Sequence, residues 1–123
     1  MLVLVLRAYL ELIRVDVRVS RQGFAALYHK VQSTETVRKH ASISSARMCR
    51  AMDLACVWYW KQVLCLQRSA ATTCLLRRDG IAAQMVIGTQ QIPFAAHAWV
   101  EVDGAVVTDK PYMREMYAVL DTW

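Results

Sequence analysis

The chain reads as an α+β fold, helices first and strands last, and three observations carry that reading. Apolar residues recur at spacings of three and four as far as Arg78. After Gly80 they fall into short β-branched and aromatic runs, and Asp103-Gly104 separates two of these runs in the manner of a hairpin turn. Helices gathered ahead of strands point to segregated α+β rather than to alternating α/β.

The elements follow in order. Leu2, Leu6, Tyr9, Leu10 and Ile13 recur at helical spacing, and Phe24, Leu27, Tyr28 and Val31 do so after Gly23, giving two short amphipathic helices. The polar stretch STETVRKHASISS, 33–45, ends in serines placed to cap the next helix. From Ala46, the stripe Cys49, Met52, Cys56, Tyr59 and Val63 predicts a third helix with its cysteines in the core, anchored by Trp58 and Trp60. CLQRSAATTCLLRRDG, 65–80, predicts a fourth, small and apolar in its middle and stopped by Gly80; Cys65 opens it and Cys74 is expected to be inert. AAQMVIGTQ, AHAWVEV and AVVTD then read as antiparallel strands.

The register of the hairpin decides whether His97 can meet Asp109. A two-residue Asp103-Gly104 turn sets His97 opposite Lys110 and leaves Asp109 beside Ala98 on the other face. A three-residue loop with Gly104 in a G1 bulge sets Glu101 opposite Ala105 and His97 opposite Asp109, at the 4.5–5.5 Å Cβ separation of about one cross-strand pair. The second register gives both polar residues a purpose and is the one expected.

With 123 residues the chain has the length of one domain, able to bury a core without disulfides or a structural metal. Arg7, Glu11, Arg14 and Asp16 interrupt the apolar opening well short of a membrane span, and no signal-peptide pattern is present, so a cytoplasmic protein without membrane insertion is expected. The four cysteines contain no C-x-x-C pair and the three histidines are not spaced for zinc, so neither a metal nor another cofactor is expected. Net charge is +9 over 1–78 and −4 over 79–123, but the basic residues are dispersed singly, which argues against nucleic-acid binding. A hydrophobic fraction of 56% and mean hydropathy of +0.23 hint at a surface covered by a partner.

A helix N-terminus favours a thiolate, a histidine within reach can take and return its proton, and an aspartate on the other ring nitrogen fixes the tautomer. Cys65, His97 and Asp109 are the residues of this sequence that fit those roles. His29 and His40 have no orienting acid nearby.

CLQRS at 65–69, LLRRDGI at 75–81, MVIGTQ at 85–90, PFAAHAWVEVDG at 93–104 and the following Asp109 together resemble the leader peptidases of lasso-peptide biosynthesis, transglutaminase-like cysteine proteases. The resemblance covers roughly 43–120. It implies a papain-like core over 43–123, following an N-terminal helical extension over 1–42, with the cysteine helix packed on a small antiparallel sheet. Cys65, His97 and Asp109 fall on that family's triad, 32 and 12 residues apart.

The resemblance further implies removal of the leader from a ribosomally made lasso precursor peptide, through a thioester. The core peptide then passes to an ATP-dependent cyclase, which the resemblance adds to the expected partners. About forty residues precede the peptidase region, too few for a built-in recognition domain, so a stand-alone form served by a separate small leader-recognition protein is expected. The N-terminal helices either face that partner or cap the core. Arg68 is a candidate for a peptide carboxylate or a structural ion pair, Trp99 for a roof over His97 or plain core, and Gln62 or the Trp60 indole for the second oxyanion donor beside the Cys65 N–H. Two other readings use the same residues: an acyltransferase or amidase, and a non-catalytic peptide-binding module.

Overall fold

In the computed structural model, which describes residues 1–123, the chain forms α1 (Leu2–Gln22), α2 (Phe24–Ser33), α3 (Ser45–Trp58), α4 (Cys65–Arg78), β1 (Ala83–Gln91), β2 (Phe94–Val102), β3 (Ala105–Val106), α5 (Met113–Met116) and β4 (Ala118–Thr122). This is the α+β order read from the sequence. α4 occupies the centre, with α1, α2 and α3 on one side and the sheet on the other. Its segment from Ser69 to Leu76 is buried throughout, and the small residues Ser69, Ala70 and Ala71 let neighbours approach on every side.

α1 is one helix of 21 residues, longer than the pattern suggested, and it buries the other stripe. Leu4, Ala8, Leu12 and Val15 face the core, while Leu2, Leu6, Leu10 and Ile13 are exposed. Both stripes have helical spacing because the opening is apolar nearly all round. The inward one carries Ala8, which allows close helix packing, and Glu11, whose buried carboxylate meets Arg78 Nε at 2.6 Å, Arg14 Nη1 at 2.8 Å and Lys30 Nζ at 3.5 Å. That cluster joins α1 to α2 and α4.

α3 begins where the serines indicated, with Ser44 Oγ accepting from the Arg47 N–H at 3.2 Å. Met48, Cys49, Met52 and Ala55 point inward, and Tyr59 closes the stripe. The expected anchors do not anchor: Trp58 and Trp60 are 76% and 72% exposed, each a residue off the buried stripe.

The sheet has the order β3-β2-β1-β4, antiparallel throughout. Ala83, Met85 and Val100 on one face join the main core over α4. Val86 and Trp99, paired across β1 and β2, form a second small cluster with Met113 on the other face. α5 and β4 were not individually legible in the sequence.

The hairpin register differs from the expected one. Val102 pairs with Ala105 and Glu101 with Val106, so Asp103 and Gly104 make a two-residue turn, with φ of 52° and 77°. Asp-Gly is the pair best able to take positive φ at both central positions, and it outcompetes the bulge. Asp109 nevertheless reaches His97, because regular pairing stops at Val106. Val107 still donates to Val100 O at 2.9 Å, but Thr108 Oγ1 then takes the Val100 N–H at 2.9 Å in place of a ladder carbonyl. The chain leaves the sheet there and turns Asp109 toward the imidazole.

Candidate active site

Cys65, Arg68 and Ser69 from the first turns of α4 line one side of a cleft of about 140 Å³, and His97, Ala98, Thr108 and Asp109 line the other, with Val63 at the approach. α4 starts at Cys65 after Leu64, whose side chain offers no cap. The first intrahelical bond here runs from the Arg68 N–H to Leu64 O, so the N–H groups of the opening turn, that of Cys65 included, have no partner within the helix. Such groups favour negative charge on a nearby sulfur or oxygen.

His97 Nε2 lies 2.6 Å from Asp109 Oδ2, with both side chains about a quarter exposed. Partial burial pushes the Asp109 carboxyl up, but the hydrogen bond to His97, the Lys110 N–H on Oδ1 at 2.8 Å and the His97 and Lys110 charges outweigh it, and the pKa lies below the ordinary value. Asp109 is therefore a carboxylate and accepts, so Nε2 carries the proton. Whenever the ring is uncharged its lone pair lies on Nδ1, which leaves that nitrogen as the one that can act as a base.

The sheet supports that ring from below. Period-two alternation sets His97, Trp99 and Glu101 on one face of β2. The fully buried Trp99 indole lies 6.4 Å from the imidazole, centroid to centroid, at 27°, and the Tyr117 ring is 5.8 Å from it on another side. Trp99 Nε1 donates to Glu101 Oε2 at 2.9 Å. Glu101 in turn accepts from Arg114 twice, at 2.8 and 2.9 Å. Those Arg114 bonds, helped by the Trp99 N–H, overcome burial and hold the Glu101 carboxyl below its ordinary pKa.

The other sequence candidates are placed as follows. Arg68 lines the cleft and pairs with Asp53 of α3. Trp99 is core beneath His97, not a lid above it. Trp60 and Gln62 are exposed and do not line the cleft; Trp60 lies by Tyr59 and under the Lys61 ammonium, and Gln62 borders neighbouring grooves. Thr108, Ser69, Tyr117 and Glu101 were not singled out from the sequence. Only Glu101 carried a signal, its place two residues beyond Trp99 on the His97 face.

The other cysteines differ from Cys65 in setting. Burial, with the Asp53 charge, pushes the Cys49 thiol up to about 11, and burial also raises Cys56. Cys74 is fully buried, its S–H directed at Thr34 Oγ1. No group of three or more metal-binding side chains is present, and no helix is long and apolar enough to cross a membrane.

The family described as the transglutaminase-like superfamily matches residues 9–122. The chain is 43% identical over 56 residues to the microcin J25-processing protein McjB of Escherichia coli, a stretch that is 46% of this chain and 27% of that relative. The alignment thus spans about a quarter of the relative's length. No solved structure matches the chain.

Proposed function

Because the chain belongs to the transglutaminase-like superfamily, we propose that it is a cysteine endopeptidase that removes the leader from a lasso-peptide precursor. The observation that carries this reading is the His97–Asp109 pair facing Cys65, at the start of α4, across one cleft. The similarity to a microcin J25-processing protein supports a precursor peptide as the substrate.

In this mechanism His97 Nδ1 takes the Cys65 proton and the thiolate attacks the scissile carbonyl, forming a tetrahedral oxyanion. The Cys65 N–H is one donor to that oxyanion. Collapse breaks the C–N bond as His97 returns the proton to the leaving amine, which departs as the core peptide. Water, activated by the same imidazole, then hydrolyses the thioester and frees the leader carboxylate. Asp109 holds the imidazole in the competent tautomer through both halves.

A separate leader-recognition protein is the partner proposed for the exposed apolar face of α1 and α3. There Leu2, Leu6 and Tyr9 meet Leu54 and Trp58 around a groove of about 550 Å³. An apolar area this continuous marks an interaction surface.

Mass spectrometry of the protein's cognate lasso-type precursor peptide, incubated with the protein with and without the recognition partner, tests the proposal. Release of a leader with a free carboxylate by the wild type, and none by Cys65→Ala, is the expected result. A leader joined to an added amine identifies an acyltransferase instead. No product from folded protein in any mixture leaves peptide binding as the function.

A further inference from the structure

β2 is nine residues long, but β3 covers only two of them. Pairing is confined to Glu101 with Val106 and Val102 with Ala105, and Val107 and Thr108 extend it only as far as Val100. Val100 directs both its N–H, to Thr108 Oγ1, and its C=O, to the Val107 N–H, away from β1. In an antiparallel strand that direction alternates, so the N–H and C=O of Ala98 and Ala96 point the same way, toward an edge that no strand occupies.

Phe94 and Ala96 are exposed along this edge, whereas Ala98, 5% exposed, is buried at its inner end beside the cleft. The open stretch is therefore 94–96, and it lacks the usual protection. Natural sheets blunt such edges with lysine, inward charges, bulges or a covering loop. Residues 94–98 read Phe-Ala-Ala-His-Ala, with no fixed charge and with Phe94 and Ala96 at the exposed positions whose backbone points away from β1. Phe94 and, beyond it, Ile92 stand 76% and 95% exposed at the hairpin tip. At its other end the edge runs directly into the cleft, where Ala98 stands across from Cys65.

We infer that the substrate binds by strand addition: an extended peptide segment flanking the cut pairs with the open β2 edge at Phe94 and Ala96, which leads the scissile bond along the strand to the cleft and Cys65. This rests on the peptidase reading for its occupant. From Phe94 to Ala96 the open edge holds about two to three substrate residues at about 3.3 Å each. Main-chain pairing is indifferent to side chains, so the edge selects extended peptide and leaves sequence selection to whatever delivers it.

The test is an N-methyl scan of a synthetic peptide spanning the leader–core junction of that precursor. Each residue is methylated in turn, and the series is read twice, as affinity for Cys65→Ala by fluorescence anisotropy and as cleavage by the wild type. Strand addition predicts alternation: methylation at every second residue weakens binding roughly tenfold, and the residues between tolerate it within about twofold. Ala96→Pro, which removes an N–H that β1 does not use, weakens binding to a similar degree while thermal stability and Cys65 alkylation stay unchanged. If that variant fails to fold, the scan alone decides.

Cleavage with no alternation overturns strand addition and leaves the peptidase intact. Alternation in affinity with no cleavage does the reverse. Absence of binding at peptide concentrations that the wild type cuts also overturns it, as does unchanged affinity in folded Ala96→Pro.

Discussion

Gly88 stands directly across the sheet from His97, and the space a side chain would take there is filled by the Trp99 indole. A Cβ at Gly88 would lie 2.6 Å from Trp99 Cη2 and 2.8 Å from Tyr117 Cβ, the two rings that hold the imidazole. Gly88→Ala must therefore displace one of them. The expected cost is about 1–3 kcal/mol of stability, together with a fall in kcat exceeding any change in KM. Chemical denaturation and steady-state kinetics on the same preparation check both.

Asp109→Ala and Asp109→Asn should differ. Alanine removes the acceptor from Nε2–H and frees the ring, and a loss in kcat/KM on the order of 10²-fold is expected. The asparagine carbonyl can still accept that hydrogen, so Asp109→Asn should retain activity between alanine and wild type. Equal losses in the two variants would show that the negative charge, and not the orientation, is what Asp109 supplies.

Alkylation should single out one cysteine. With iodoacetamide near neutral pH, Cys65 in its open cleft is expected to label first. Cys49, held at about 11, and the raised Cys56 should lag, and Cys74 should label only on unfolding. Peptide mapping of a time course reads the order directly.

The Glu101–Arg114 pair sets an acid limit on stability. Because Arg114 lowers the Glu101 pKa in the folded state, its contribution is fully present above the ordinary value of 4.5 and is lost as pH falls through the lowered one. Wild-type Tm should therefore drop below about pH 4.5 by more than the Tm of Glu101→Gln, which starts lower at neutral pH. Parallel melting curves from pH 3 to 7 make the comparison.

Leu6→Glu and Trp58→Glu alter side chains that are 60% and 76% exposed, so the fold should tolerate both. If α1 and α3 seat the recognition protein, these variants lose its stimulation of cleavage but keep the slow partner-free rate. Stimulation at wild-type level in both would place the partner elsewhere.

The succession from α1 to β3 was legible because each of those segments has a clean period, and Ser44 and Gly80 punctuate α3 and α4 as their chemistry requires; α5 and β4 have no such period. Two further features were not legible. The inward face of α1 depends on Glu11 finding Lys30 and Arg78, contacts made with distant segments, while the apolar pattern fits either face. The hairpin register was not legible either, because a hydrogen bond between His97 and Asp109 does not require them to be ladder partners. Thr108 breaks the ladder and delivers Asp109 by another route, and nothing local in the sequence marks a threonine for that task. Trp60 and Gln62 suggested themselves by nearness in the chain, but the segment before Cys65 turns them outward.

Mechanically, α4 is a beam clamped at one end. Near its C-terminus Arg78 grips Glu11, Arg77 bonds the carbonyls of Val31, Thr34 and Ala83, and Asp79 just beyond is held by Arg7 and Lys39. Its other end has no side-chain cap and a single lateral tie, Arg68 to Asp53. The tip that carries Cys65 therefore rests on packing against β2 and α3 and on that one polar tie, whereas the opposite end is held by a network of charges.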